Sequence, residues 1–88
     1  MNLVKTAALV NATPLVVPVG DMEFPVTVTL SSADGGRLIE LSTNGGVAGG
    51  WFTPTYDVTI AGMINIGLVS PVSHVRFTGA AADVWRVQ

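Results

Sequence analysis

Hydrophobic and polar residues alternate with a period of two in several short runs, which is the pattern of strands with one buried face. In residues 26–30, Val26, Val28 and Leu30 share one face and Thr27 and Thr29 the other. Residues 55–60 place Tyr56, Val58 and Ile60 inward and Thr55, Asp57 and Thr59 outward. Ile64, Ile66 and Leu68 form a further core face, with Met63 and Val69 on the reverse side. Residues 60–69 are so apolar that they suit a strand covered on both sides, the second cover coming from another chain.

Clusters rich in Gly, Pro, Asn, Asp and Ser separate these runs at short intervals, and no segment carries the pattern of a long helix. The expectation is an all-β chain of about seven strands: one domain over residues 1–88, built as a small antiparallel β-sandwich or open barrel. Residues 1–19 carry Pro14 and Pro18 among Leu15, Val16, Val17 and Val19. Proline is confined to sheet edges and strand starts, so this segment is either an arm or an edge strand.

Two registers can be written from side chains alone. If residues 26–30 and 37–42 form a hairpin through the turn at Asp34, Gly35 and Gly36, then Leu30 pairs with Arg37, Val28 with Ile39, and Val26 with Leu41. A C-terminal hairpin through residues 79–83 sets Thr78 opposite Val84, Phe77 opposite Trp85 and Val75 opposite Val87. That register places Arg76 opposite Arg86 on the outer face, where like charges repel. A carboxylate from Asp57, Asp83 or Glu40 is therefore expected within hydrogen-bonding reach of at least one of the two arginines.

Composition changes the picture at one point. The chain is 49% hydrophobic but only 11% charged, against a usual charged share of about 25%. A folded monomer of this mass exposes about 4,900 Å², a large area for ten charged side chains to solubilise. So short a domain also buries only about 60 to 65% of its unfolded surface. The usual remedies are disulfides, metals or oligomerisation. With no cysteine and His74 as the only histidine, oligomerisation is the route expected, with no metal and no cofactor. Adjacent residues on a strand point to opposite faces, so Trp51 and Phe52 cannot both enter one core. They join Met63, Val69, Arg76 and Arg86 as candidate interface residues.

Other functional classes find little support. Ser73 and His74 are neighbours and point apart on a strand, no nucleophile elbow occurs, and Glu23 and Glu40 have no patterned acid/base partner, so no enzyme is expected. The glycines at 45, 46, 49 and 50 lack the lysine and helix of a phosphate loop and read as turn residues. Four basic residues and a net charge of −2 leave no footprint for nucleic acid. No apolar run is long enough for a membrane helix. Asn11, Thr13 and Pro14 cut the opening apolar run short of a secretory leader.

The C-terminal stretch from Pro71 and Val72 through His74, Val75, Arg76 and Phe77 to Trp85, Arg86, Val87 and Gln88 resembles that of small tailed-phage virion proteins of head-decoration type. Residues 30–42 and 51–56 extend the resemblance to about half the chain. It implies a structural, capsid-stabilising virion subunit made in the host cytoplasm, a homo-oligomer with a trimer favoured, mounted on other virion proteins such as the major capsid protein. The alternative is a tail or fibre module that binds a cell-surface carbohydrate, stacking sugars on Trp51, Tyr56 and Trp85.

Overall fold

In the computed structural model, which describes residues 2–10, 14–31, 37–55 and 63–88, eight antiparallel strands form two four-stranded sheets packed face to face. The strands are β1 (Lys5–Ala8), β2 (Leu15–Pro18), β3 (Val26–Ser31), β4 (Leu38–Ser42), β5 (Trp51–Phe52), β6 (Met63–Leu68), β7 (His74–Thr78) and β8 (Val84–Val87). Sheet A has the order β1-β8-β3-β6 and sheet B the order β2-β7-β4-β5. The all-β class is as expected, and the architecture is a sandwich with one strand more than the alternation suggested. The expected strand over residues 55–60 lies outside the described residues, apart from Thr55.

Period-two alternation sends one side chain in two to the core. From sheet A these are Val26, Val28 and Leu30 of β3, Ile64, Ile66 and Leu68 of β6, and Trp85 and Val87 of β8. Sheet B contributes Val17, Ile39, Leu41, Val75 and Phe77. Each such side chain removed from water contributes about 1.5–3 kcal/mol. The accessible surface of 4888 Å² matches that expected of a folded monomer of this mass.

The N-terminal segment supplies two edge strands. Its first half, β1, pairs with β8, and its second, β2, pairs with β7 in the other sheet. Proline at the end of β2 suits an edge, where a missing N–H removes no ladder bond. Lys5 joins the two sheets at this side, donating to the Pro18 carbonyl and to Asp21 Oδ1, both at 2.7 Å.

Both registers written from the sequence are overturned in the same way. β3 and β4 lie in different sheets: β3 pairs with β6 and β8, β4 with β7 and β5. Val28 thus sits beside Ile66 and Val87, not Ile39, and Glu40 sits opposite Arg76. The turn at Asp34, Gly35 and Gly36 lies outside the described residues. Likewise β7 belongs to sheet B and β8 to sheet A. Phe77 and Trp85 do meet, but across the core, stacked with ring centroids 5.2 Å apart and planes at 23°. Alternation dictates which face of a strand is buried and leaves open whether two inward faces lie side by side or opposite one another.

Residues 79–83 carry the chain from sheet B to sheet A. Ala82 takes a left-handed conformation with φ of 70°. Asp83 Oδ2 accepts from the Ala80 N–H at 2.9 Å and from Arg37 Nε at 2.7 Å, while Arg37 Nη2 reaches Oδ1 at 3.2 Å. A Cβ at Gly79 would stand 2.7 Å from Asp83 Oδ2 and 3.1 Å from Leu9 Cδ1, so a side chain there would displace the carboxylate.

Candidate functional site

The residues that point away from the core form two outer faces of different chemistry. On sheet B the outward positions of adjacent strands are Val16, Arg76, Glu40, His74 and Ser42, with Trp51 on the edge strand. Arg76 and Glu40 are cross-strand partners and form a two-pronged ion pair, Nε to Oε1 at 2.8 Å and Nη2 to Oε2 at 2.9 Å. The guanidinium also lies over the Trp51 ring, 4.4 Å from its centroid. Such a stack adds about 0.5–1 kcal/mol at an exposed site. The Glu40 hydrogen bonds raise the Arg76 proton affinity above its ordinary value. The expectation of an acid near one of the arginines is thus met by Glu40.

Next to this cluster, Ser42 Oγ donates to Asn44 Oδ1 at 2.7 Å and accepts from the Gly46 N–H at 2.9 Å. Ser73 Oγ donates to the Ser42 carbonyl and accepts from the Gly45 N–H. Gly45 and Gly46 have φ of 85° and 80°, which glycine adopts without a Cβ clash. These bonds hold a turn closed and occupy the Ser73 hydroxyl. His74, half-buried on this face, has an Nδ1 without a hydrogen-bond partner among the described residues.

The outer face of sheet A is neutral except at one position. A single row crosses all four strands: Thr6 of β1, Arg86 of β8, Thr29 of β3 and Asn65 of β6. The neighbouring row holds Gln88, Thr27 and Gly67; Thr27 and Gln88 exchange backbone hydrogen bonds of 2.7 and 3.0 Å. On the other side lie Ala8, Val84, Ser31 and Met63, where the Ser31 hydroxyl accepts from the Val84 N–H at 2.8 Å. Short side chains in the middle, bounded by the longer Met63, Arg86 and Gln88, leave a trough of about 300 Å³.

The electrostatics of this trough follow from how the cations are distributed. Lys5 pairs with Asp21, Arg37 with Asp83 and Arg76 with Glu40. Arg86, the fourth basic residue, has no ion-pair partner among the described residues. In the same row, with Thr29 between it and Arg86, Asn65 is half-buried, its Nδ2 shielded from solvent and without an acceptor among the described residues. Leaving such a donor unpaired costs about 1–3 kcal/mol.

The six candidate interface residues do not form one patch. Met63 and Arg86 line the trough on sheet A, and Val69, 82% exposed, follows the end of β6. Trp51 and Arg76 stack on the outer face of sheet B. Phe52, opposite Leu41 at the edge of sheet B, is 47% exposed, so neither Trp51 nor Phe52 enters the core. Of the three aromatic residues expected to stack sugars, Trp51 is covered by Arg76, Trp85 is buried against Phe77, and Tyr56 lies outside the described residues.

Alternation already placed Thr27 and Thr29 away from the core, but Thr6, Asn65 and Gln88 carried no signal that they join them. Among the described residues no three His, Asp or Glu side chains gather where a metal ion could be held. Among the same residues no helix is long and apolar enough to cross a membrane. No family model, curated protein or solved structure matches this chain.

Proposed function

We propose that this protein is a structural subunit that works by assembling with copies of itself, as a head-decoration or capsid-stabilising component of a phage particle. The observation that carries the assembly is the edge of β6. A bare sheet edge pairs readily with another chain, and proteins blunt their edges with short strands, prolines or inward-pointing charges. Three of the four edges are treated in this way: β1 carries Lys5, β2 carries Pro18, and β5 is two residues long. The fourth, β6, runs six residues with neither charge nor proline, and no described strand pairs with its outer side.

The charge distribution supports the same reading. Six of the described charged side chains neutralise one another in three pairs, while Leu3, Val10 and Val69 are at least 82% exposed. The placement on a virion, the trimer and the contact with other virion proteins rest on the resemblance of residues 30–42, 51–56 and 71–88 to head-decoration proteins.

Gly67 provides the test. It faces outward on β6, and a Cβ there meets nothing within 4 Å. Gly67→Lys should therefore keep the fold and add the charge that edges normally carry. Sedimentation of the wild type is expected to give an oligomer that Gly67→Lys reduces to monomers. A monomeric wild type at micromolar concentration would refute the assembly, and electron cryomicroscopy of intact particles lacking the protein at regular copy number would refute the virion role.

A further inference from the structure

We propose that the trough on the outer face of sheet A binds a carboxylated sugar of the hexuronate class, with Arg86 holding the carboxylate. Met63 and Asn65 bring β6 into the lining through side chains on its outer face and not through its backbone edge, so binding here does not depend on self-assembly.

Charge is the first argument. Every other basic side chain of the chain already has a carboxylate. Arg86 borders a trough whose lining, among the described residues, includes no acidic side chain. A guanidinium presents a planar fork that matches the two oxygens of a carboxylate. A phosphate or sulfate would want further donors, commonly backbone N–H groups. In sheet A the strand carrying Arg86 is paired on both sides, with β1 and with β3, so its backbone groups are engaged in the ladders. The site thus offers one cation and suits one planar anion.

The second argument is the rest of the lining. Thr27, Thr29, Asn65 and Gln88 each bring a group that both donates and accepts hydrogen bonds, as sugar hydroxyls do. An acidic side chain from another protein would engage the guanidinium and leave these groups without work. Met63 and Val84 close one end with apolar surface, against which the C–H face of a pyranose ring packs. Asn65 already holds an unpaired amide donor, and a ring oxygen or hydroxyl seated over Thr29 would accept from it after a rotation of the side chain. The volume of about 300 Å³ lies at the lower end of the range for small-molecule clefts, room for one ring and not for a large ligand.

The test is a titration of ¹⁵N-labelled protein with glucuronate, glucose and acetate, followed by amide chemical shifts. Glucuronate is expected to move the amides of Thr6, Thr27, Thr29, Asn65, Arg86 and Gln88, to bind at least about tenfold more tightly than either glucose or acetate, and to weaken with added salt. Arg86→Met keeps the aliphatic stem and should abolish the preference for glucuronate over glucose while leaving a dispersed, folded spectrum. Thr29→Val should weaken both sugars. Sedimentation on the same samples separates this site from the assembly edge: Arg86→Met should leave the oligomer intact. The proposal is overturned if glucuronate moves no trough amide, if glucose or acetate binds as tightly, or if Arg86→Met binds glucuronate as the wild type does. It is equally overturned if Arg86→Met dissociates the oligomer and glucuronate does not bind, because the trough would then be a contact between copies.

Discussion

Asp83 shows how much one side chain holds at the crossing from sheet B to sheet A. Its carboxylate accepts from Arg37 and from the Ala80 N–H, and both partners of the ion pair are largely shielded, with side-chain exposures of 19% for Arg37 and 11% for Asp83. The Arg37 hydrogen bond, with help from the Ala80 amide, holds the Asp83 carboxyl below the ordinary carboxylate range. A depressed folded-state pKa means that the contribution is complete above the unfolded value of about 3.9 and is lost as pH falls through the lower folded value. Asp83→Asn is expected to cost about 1–3 kcal/mol at neutral pH. In urea unfolding followed from pH 7 into the acid range, the wild-type and variant curves should converge below pH ~4. A constant difference at every pH would show that the ion pair contributes nothing. The Lys5–Asp21 pair also lowers the Asp21 pKa, but Asp21 is 74% exposed, and solvent screening leaves it little weight in stability.

At the scale of elements, the partners of each strand decide which residues act together. Arg76 and Arg86 would be neighbours in a C-terminal hairpin, yet they stand on the outer faces of different sheets, one beside Glu40 and the other beside Thr6 and Thr29. Double-mutant cycles read this directly. Arg76→Met combined with Arg86→Met should be additive within about 0.5 kcal/mol. Arg76→Met combined with Glu40→Gln should depart from additivity by more than that, because the two side chains share two hydrogen bonds. Coupling between the arginines, with none between Arg76 and Glu40, would restore the hairpin. Thermal or urea denaturation of the single and double variants supplies all the energies required.

The whole molecule depends on pairing between the two ends of the chain. β1 has β8 as its strand partner, Lys5 standing opposite Val87, and β8 also carries Trp85 and Val87 into the core. A chain stopped after Asp83 therefore loses the link between β1 and β3 together with two core side chains, one of them half of the Phe77–Trp85 stack. In a domain whose net stability is of the order of 5–15 kcal/mol, that loss should remove cooperative unfolding altogether, as read by circular dichroism on heating. A truncated chain that melts cooperatively would show that β8 is dispensable. Pairing the ends of the chain also places folding in the millisecond-to-second range typical of β sandwiches, which stopped-flow fluorescence of Trp85 can follow.

What the sequence determined by itself is the strand class and the inward set. Val26, Val28, Leu30, Ile39, Leu41, Ile64, Ile66, Leu68, Val75, Phe77, Trp85 and Val87 are all assigned to buried faces by alternation, and all are buried. That is so because a two-residue period is a local property of an extended chain. What only the tertiary structure decided is who stands beside whom. Both hairpins failed because inward faces are equally satisfied side by side in one sheet or opposed across a core, and closure of the whole sandwich selects between them. The same choice made the trough. Thr6, Arg86, Thr29 and Asn65 come from four strands separated along the chain, and ladder pairing alone brings them into one row.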